Sequence, residues 1–212
     1  MSKRVVINAM IAPYDGPHVE GTEYWCVNGA FRHQKHVDRV YAMDDLVQLP
    51  TGWADEINLL PDRIRYITIR KFDEIPRSEP YPIRSVLRYF HNNRFFACTM
   101  AYMLAHAIYE KFDHIVISGA YWTHDSEEYA SHVSCCNFWA GMAIGHGVNL
   151  ETYGPCMLCR PHAWEPALYG YETNGTRHVI HAGLAAAHKW ASLFPYQPQK
   201  NVDVDVLPED HP

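Results

Sequence analysis

The chain has no apolar stretch long enough to cross a bilayer, which takes roughly 20 residues. Its longest apolar region, Phe95 to Ile108, is interrupted by Thr99 and His106. There is no excess of positive charge either. Lys and Arg number 18 against 24 Asp and Glu, a net charge of −6, and this balance argues against nonspecific binding to DNA or RNA, which works by neutralising phosphates. A small anion is a different matter, because a helix N-terminus and a few arginines suffice to hold one. Three glycine motifs are also missing. Ile11-Ala12-Pro13 follows the first apolar run, where a dinucleotide-binding fold carries G-x-G-x-x-G, and no G-x-x-x-x-G-K-[ST] occurs. Both absences count against a dehydrogenase and an NTPase of the standard kind. Without a G-x-S-x-G elbow an α/β-hydrolase has no support. Nothing near Met1 reads as a signal peptide, since Ser2-Lys3-Arg4 leads straight into Val5-Val6-Ile7. The expectation is a soluble, cytoplasmic protein without a membrane span.

What is present suits a cored domain. Of 212 residues 48% are hydrophobic and 20% charged, and a chain of this length buries on the order of 70% of its unfolded surface without disulfide or metal staples. Residues 1–194 are expected to form a single domain, and 195–212 a mobile acidic tail rich in Pro and Asp. The six cysteines do not resemble a secreted framework. Cys135-Cys136 are adjacent within a helical pattern, and Cys26 and Cys98 stand in the apolar surroundings typical of buried thiols.

Strand and helix patterns alternate along the chain. Strands are expected at Arg4–Met10, Glu23–Val27, Arg39–Met43, Arg65–Ile69, His114–Ser118 and Val148–Thr152. His114–Ser118 is the most hydrophobic of them, as a central strand covered on both faces would be. Ser85 to Lys111 has helical periodicity, with Phe96, Met100, Met103, Leu104 and Ala107 on one stripe and a candidate break at Asn92-Asn93. A second helix runs from Ser126 to Gly145, with Glu127-Glu128 in a first turn that favours negative charge. The alternation predicts an α/β fold: a Rossmann-like three-layer sandwich, its sheet mostly parallel, with helices on both faces.

In such sheets ligands bind beyond the carboxyl ends of the strands, where strand order reverses. The strand ends supply Asn8, then Asn28 with Arg32, then Asp44 and Asp45, then Gly119 with Tyr121 and His124. Asn8, Asn28, Arg32, Asp44, Gly119 and Tyr121 are therefore the candidate nucleotide-binding residues. Taken singly, each Asn or Asp also has an ordinary reading as a turn former that bonds its own backbone. It is their coincidence at one edge that points to a site.

The run Tyr102-Met103-Leu104-Ala105-His106-Ala107-Ile108 with the following His114-Ile115-Val116-Ile117-Ser118-Gly119 resembles a helix–turn–strand segment, Y-M-x-x-x-A-I then E-I-Y-L-x-G, of bacterial sialyltransferases that use a CMP-activated sugar. Trp25-Cys26-Val27-Asn28-Gly29-Ala30-Phe31 is similar to their R-C-N-Q-F element, whose Asn touches the nucleotide. Related bacteriophage proteins of about this size share the layout, with look-alikes of Asp38 to Asp44 and of Glu128-Tyr129. The likeness covers roughly Val5 to Tyr153, by order of elements more than by identity. It departs from the family at Asn8-Ala9-Met10-Ile11-Ala12-Pro13, where the sialyltransferases carry G-N-G-P-S. What the resemblance implies is a nucleotide or nucleotide-sugar ligand and glycosyltransferase-type chemistry. Their catalytic histidine has no unique counterpart, His132 and His146 both standing in the right region.

Glu128 and His132 are four residues apart, so they share a helix face. A carboxylate beside an imidazole raises its pKa and orients it for acid–base work. An exposed pair at the same spacing contributes only a few tenths of a kcal/mol of helix stability. His124, in the loop after the His114–Ser118 strand, is the third catalytic candidate. Cys156-x-x-Cys159-x-x-His162 has ligand-like spacing, but a structural zinc needs a fourth ligand from among His178, His181 and His188; the expectation is no metal. Trp122, Trp139, Trp164, Tyr169 and Tyr171 can stack on a base or fill the core, and Trp139 is assigned to the core. The leading expectation is thus a nucleotide- or nucleotide-sugar-binding enzyme with that ligand as substrate and no further cofactor. The alternatives are a binding protein that captures a nucleotide-derived ligand without turnover, and a hydrolase or transferase acting on a nucleoside glycosidic bond. Self-association stays open.

Overall fold

A computed structural model describes residues 2–9, 14–120, 127–154, 156 and 158–159. Among the described residues seven strands form one sheet: β1 (Arg4–Asn8), β2 (Thr22–Val27), β3 (Arg39–Ala42), β4 (Arg65–Thr68), β5 (Ser78–Pro80), β6 (His114–Ser118) and β7 (Asn149–Tyr153). Their order is β5-β4-β3-β2-β1-β6-β7, and every neighbouring pair is parallel. The helices are α1 (Trp53–Asn58), α2 (Ile83–Tyr89), α3 (Thr99–Tyr109) and α4 (Glu127–Gly145), with short 3-10 turns at Asn28–His33 and Leu46–Gln48. This is the α/β sandwich that the alternating pattern predicts. The boundary at residues 194 and 195 lies outside the described residues.

Side chains on alternate strand positions feed two faces. On one face Val5, Ile7, Trp25, Tyr41, Ile67, Ile115 and Ile117 pack with Val86 of α2, Met100, Met103, Leu104 and Ile108 of α3, and Cys135, Cys136, Trp139 and Ala143 of α4. On the other face Cys26, Val40, Ala42 and Tyr66 pack with Phe31 of the first 3-10 turn and with Trp53 and Ile57 of α1. Val6, Tyr24 and Val116 form a third, smaller cluster there, joined by Tyr14 and Tyr153. Burying residues such as Leu104, wholly inaccessible here, is worth about 1.5–3 kcal/mol per side chain. Trp139 is fully buried, as assigned, and its indole N–H donates to Phe95 O at 2.6 Å.

Two details depart from the expected layout and one refines it. His114–Ser118 is buried on both faces, yet β6 is sixth of the seven strands and not near the centre, which is β2. Hydrophobicity reports that a strand is covered, not its place in the order. The helical region from Ser85 is divided near the candidate break at Asn92-Asn93: α2 and α3 are separate, and the chain between them turns through His91 and Asn92, both with positive φ (53° and 63°). Strand β5 and helix α1 carried no sequence signal, being three and six residues long.

A buried polar network anchors the opposite, amino edge of the sheet. Arg39, at the start of β3, makes two bonds to the Glu110 carboxylate (2.7 and 2.9 Å) and one ion pair to Glu23 (2.8 Å). His106 reaches Glu110 at 3.2 Å through Nε2 and Tyr41 OH at 2.8 Å through Nδ1. Neutral His106 satisfies both contacts: Nε2–H donates to the carboxylate and Nδ1 accepts from the Tyr41 hydroxyl. Burial pushes the imidazole below its usual range against the pull of Glu110. Burial alone would lift the Glu110 carboxyl, but bonds from His106 and Arg39 outweigh it and hold the group well below the usual carboxylate range. His106, which interrupts the apolar region in the sequence, is therefore a paired core histidine.

Candidate functional site

The strand order puts a switch point between β1 and β6. Past β1 the chain reaches Tyr14, which packs on the face of Val6, Tyr24 and Val116. Past β6 it reaches α4, which packs on the opposite face with Ile115 and Ile117. In open parallel sheets, two connections leaving neighbouring strands toward opposite faces mark the place where ligands bind. The strands stay joined up to that point, with Asn8 opposite Ser118 and Ala9 N–H donating to Ser118 O at 2.8 Å.

Asn8 ends β1 and is completely buried. Its Oδ1 accepts the Tyr14 N–H at 3.2 Å, which ties the returning chain to the strand end. Its Nδ2 lies near the Cys26 thiol, close enough to influence it, but has no hydrogen bond of normal geometry among the described residues. Asn28 follows β2 directly, with φ +43° in the left-handed region that Asn tolerates better than most residues. Its Nδ2 donates to Asp44 Oδ2 at 3.2 Å, while its buried Oδ1 has no partner among the described residues. Two adjacent strand ends thus carry one unused donor and one unused acceptor. Buried polar groups are almost always paired, and an unmade bond costs about 1–3 kcal/mol; Arg4 Nε, Thr22 Oγ1 and Gln34 Nε2 have the same status elsewhere, so it is the position of these two atoms at the strand ends that singles them out. Asp44 sits two residues past β3 and is brought into the same cluster through Asn28. Gly119 follows β6 with φ +68°, where any Cβ would be strained.

The edge therefore gathers Asn8, Asn28, Asp44 and Gly119. Arg32 is placed otherwise. Its Nε donates to Glu56 at 2.7 Å, and its guanidinium lies 4.8 Å from the Trp53 ring centroid and 5.3 Å from that of Phe31. Committed to a carboxylate and stacked on α1, it is a packing and ion-pair residue in this structure. Asp45 is likewise engaged, with Arg70 at 3.4 Å. Tyr121 and His124 lie outside the described residues. Glu128 is in the first turn of α4, its side chain outside the described set; His132, one turn on, is half-buried and engaged with a neighbouring group. Helix α4 starts after β6, so its N-terminus and this turn belong to the same edge.

Among the described residues no cluster of three or more His, Cys, Asp or Glu is arranged to hold a metal ion. Cys159 N–H instead donates to Asn137 Oδ1 at 3.0 Å; His162, His178, His181 and His188 lie outside the described residues. A cavity of about 260 Å³ lined by Lys111, Asp113, His146 and Tyr89 opens near the carboxyl ends of α3 and α4, at the sheet's amino edge and away from the ends of β1, β2 and β6. Sequence reasoning missed Ser118, a fully buried hydroxyl at the end of β6, because strand-end Ser carries no pattern of its own. It also took Cys98 for a core thiol, whereas Cys98 is half-buried at the N-cap of α3.

No family model, curated protein or solved structure matches this chain.

Proposed function

We propose that the chain binds a nucleotide or nucleotide-sugar at the carboxyl edge of its sheet, across β1, β2 and β6, and acts on it as an enzyme of the glycosyltransferase type. The observation that carries this reading is the meeting of polar strand ends beside the switch point: Asn28 Oδ1, buried and unpartnered among the described residues, and Asn8, whose Nδ2 lies by the Cys26 thiol without a bond of normal geometry. Strands lie about 4.8 Å apart, so these atoms fall within the span of one nucleoside, and ribose hydroxyls or a base edge both donate and accept. Gly119 lets a ligand approach the backbone closely, and the first turns of α4 favour negative charge. The likeness of Trp25 to Phe31 and of Tyr102 to Gly119 to sialyltransferase segments supports a sugar on the nucleotide, with CMP the first to try.

In that reaction the acceptor hydroxyl oxygen bonds to the anomeric carbon as the bond from that carbon to phosphate oxygen breaks. The hydroxyl proton goes to His132, His124 or Glu128, and the nucleotide departs with the bonding pair. The test is thermal stabilisation by a panel of nucleotides and nucleotide-sugars, followed by a search for product with each hit. A ligand at 100 times its Kd adds about 2.7 kcal/mol. Stabilisation with product supports the proposal. Tight binding that never leads to conversion supports simple capture, release of a free base supports glycosidic hydrolysis, and stabilisation by no member of the panel overturns the nucleotide reading.

A further inference from the structure

Four of the six cysteines gather where α3 meets α4. Cys98 caps α3, Cys135 and Cys136 lie in the middle of α4, and Cys156 follows β7; Cys135, Cys136 and Cys156 are all buried in one core cluster, with Cys98 packed against it. Within the group the roles divide. Cys135 is occupied with the backbone, donating to Phe95 O at 2.9 Å and accepting from Ala97 N–H at 3.2 Å. Cys136 Sγ instead lies 3.4 Å from Cys98 Sγ, in direct contact across the helix pair.

We infer that Cys98 and Cys136 are a thiol–disulfide couple, Cys98 the attacking thiol and Cys136 the resolving one, whose oxidant is a low-molecular-weight disulfide. A disulfide bond is about 2.05 Å long, so the sulfurs need to close by roughly 1.3 Å. Cys98 is the partly exposed member and Cys136 the buried one, as an attacking and a resolving thiol should be. The environment separates their acidities in the same sense. Contact with Cys136 draws the Cys98 thiol below its usual range against burial, and the first-turn N–H groups of Ala101 and Met100 add to this, although Cys98 makes no formal capping bond. The bond to Cys98 and then burial push Cys136 up.

The steps balance. Cys98 thiolate attacks one sulfur of RSSR, forming a mixed disulfide and expelling RS−. Cys136 sulfur then attacks the Cys98 sulfur, its proton passing to the departing thiolate, and a second RSH leaves. Two protein thiols are oxidised and one small disulfide is reduced to two thiols. The product joins the N-cap position of α3 to α4 one helical turn beyond His132.

The experiment treats the reduced full chain, under native conditions, with excess glutathione disulfide, then alkylates in denaturant and maps peptides by mass. The expected result is loss of two of the six thiols as one Cys98–Cys136 link that dithiothreitol reverses. Cys136→Ser should stop at a glutathione adduct on Cys98, Cys98→Ser should form neither, and Cys135→Ser should link as the native chain does. Should Cys136→Ser fail to fold, a short exposure of the native chain should catch the Cys98 adduct before the link. Six free thiols after long exposure, a Cys98–Cys135 or Cys156–Cys159 link in its place, or protection of Cys98 by a stoichiometric soft metal would each overturn the inference.

Discussion

Asn28 gives the sharpest test of the site, because its two amide atoms do different things. Nδ2 holds Asp44 at 3.2 Å, while Oδ1 is buried and unpartnered among the described residues. Replacing the side chain removes both and leaves Asp44 without that donor. A backbone φ of +43° complicates the usual Ala substitution, since Asn visits the left-handed region through its short polar side chain and Ala does so at greater cost. Asn28→Gly removes the amide without that strain, so it is the informative variant, and Asn28→Ala reports the strain on top of it. Loss of the Asp44 bond should lower stability by about 0.5–1.5 kcal/mol, and loss of a bond to ligand should weaken nucleotide binding by about 1–3 kcal/mol, which is roughly 5- to 150-fold in Kd. Chemical denaturation measures the first and titration calorimetry the second. If Asn28→Gly folds, loses stability as expected and still binds the nucleotide as tightly as the native chain, Oδ1 is not a ligand contact and the reasoning fails.

Acidification should destabilise the fold through the Tyr41–His106–Glu110–Arg39 network. His106 has a lowered folded pKa, so the unfolded chain takes up its proton first and stability falls as pH drops through about 6.5. Glu110 is also lowered, so its contribution is complete above the ordinary carboxylate value near 4.3 and is lost progressively as pH falls below it toward the depressed folded pKa. Each group contributes at most about 1.4 kcal/mol per pH unit. Urea midpoints that stay flat or rise from pH 7.5 to 5 would refute this. Ala at Glu128 or at His132 should cut turnover by roughly two to four decades with little change in nucleotide affinity; full activity in both variants makes the pair an ordinary helix contact and His124 the next residue to change. Elemental analysis of untagged protein should find zinc well below one per chain, and one zinc lost in Cys159→Ser would reverse that expectation.

Runs such as Val5-Val6-Ile7 and Ile115-Val116-Ile117 made the parallel sheet legible, because β-branched residues buried on both faces carry their own signature. The strand ends followed from those runs, and so Asn8, Asn28, Asp44 and Gly119 were found together without a motif. Arg32 shows the limit. Its chemistry suits phosphate, but Glu56 lies 24 positions on and only the fold brings the two to 2.7 Å. Cys98 and Cys136 are a longer-range case, 38 positions apart and in contact only because α3 and α4 pack side by side. Strand β5 was illegible for a different reason. Ser78-Glu79-Pro80 has no β propensity to read, and the structure holds it through pairing with β4 and the double contact of Arg65 with Glu79.

The central claim is that a nucleotide sits at the carboxyl edge of the sheet, between the ends of β1, β2 and β6. Backbone amide chemical shifts, followed during titration with the best-stabilising nucleotide, test it most directly. Saturable shifts should cluster at Asn8, Ala9, Asn28, Asp44 and Ser118 to Ala120, and leave Lys111, Asp113 and His146 at the opposite edge unmoved. Shifts concentrated around the cavity of Lys111 and His146, with the strand ends silent, would contradict the account.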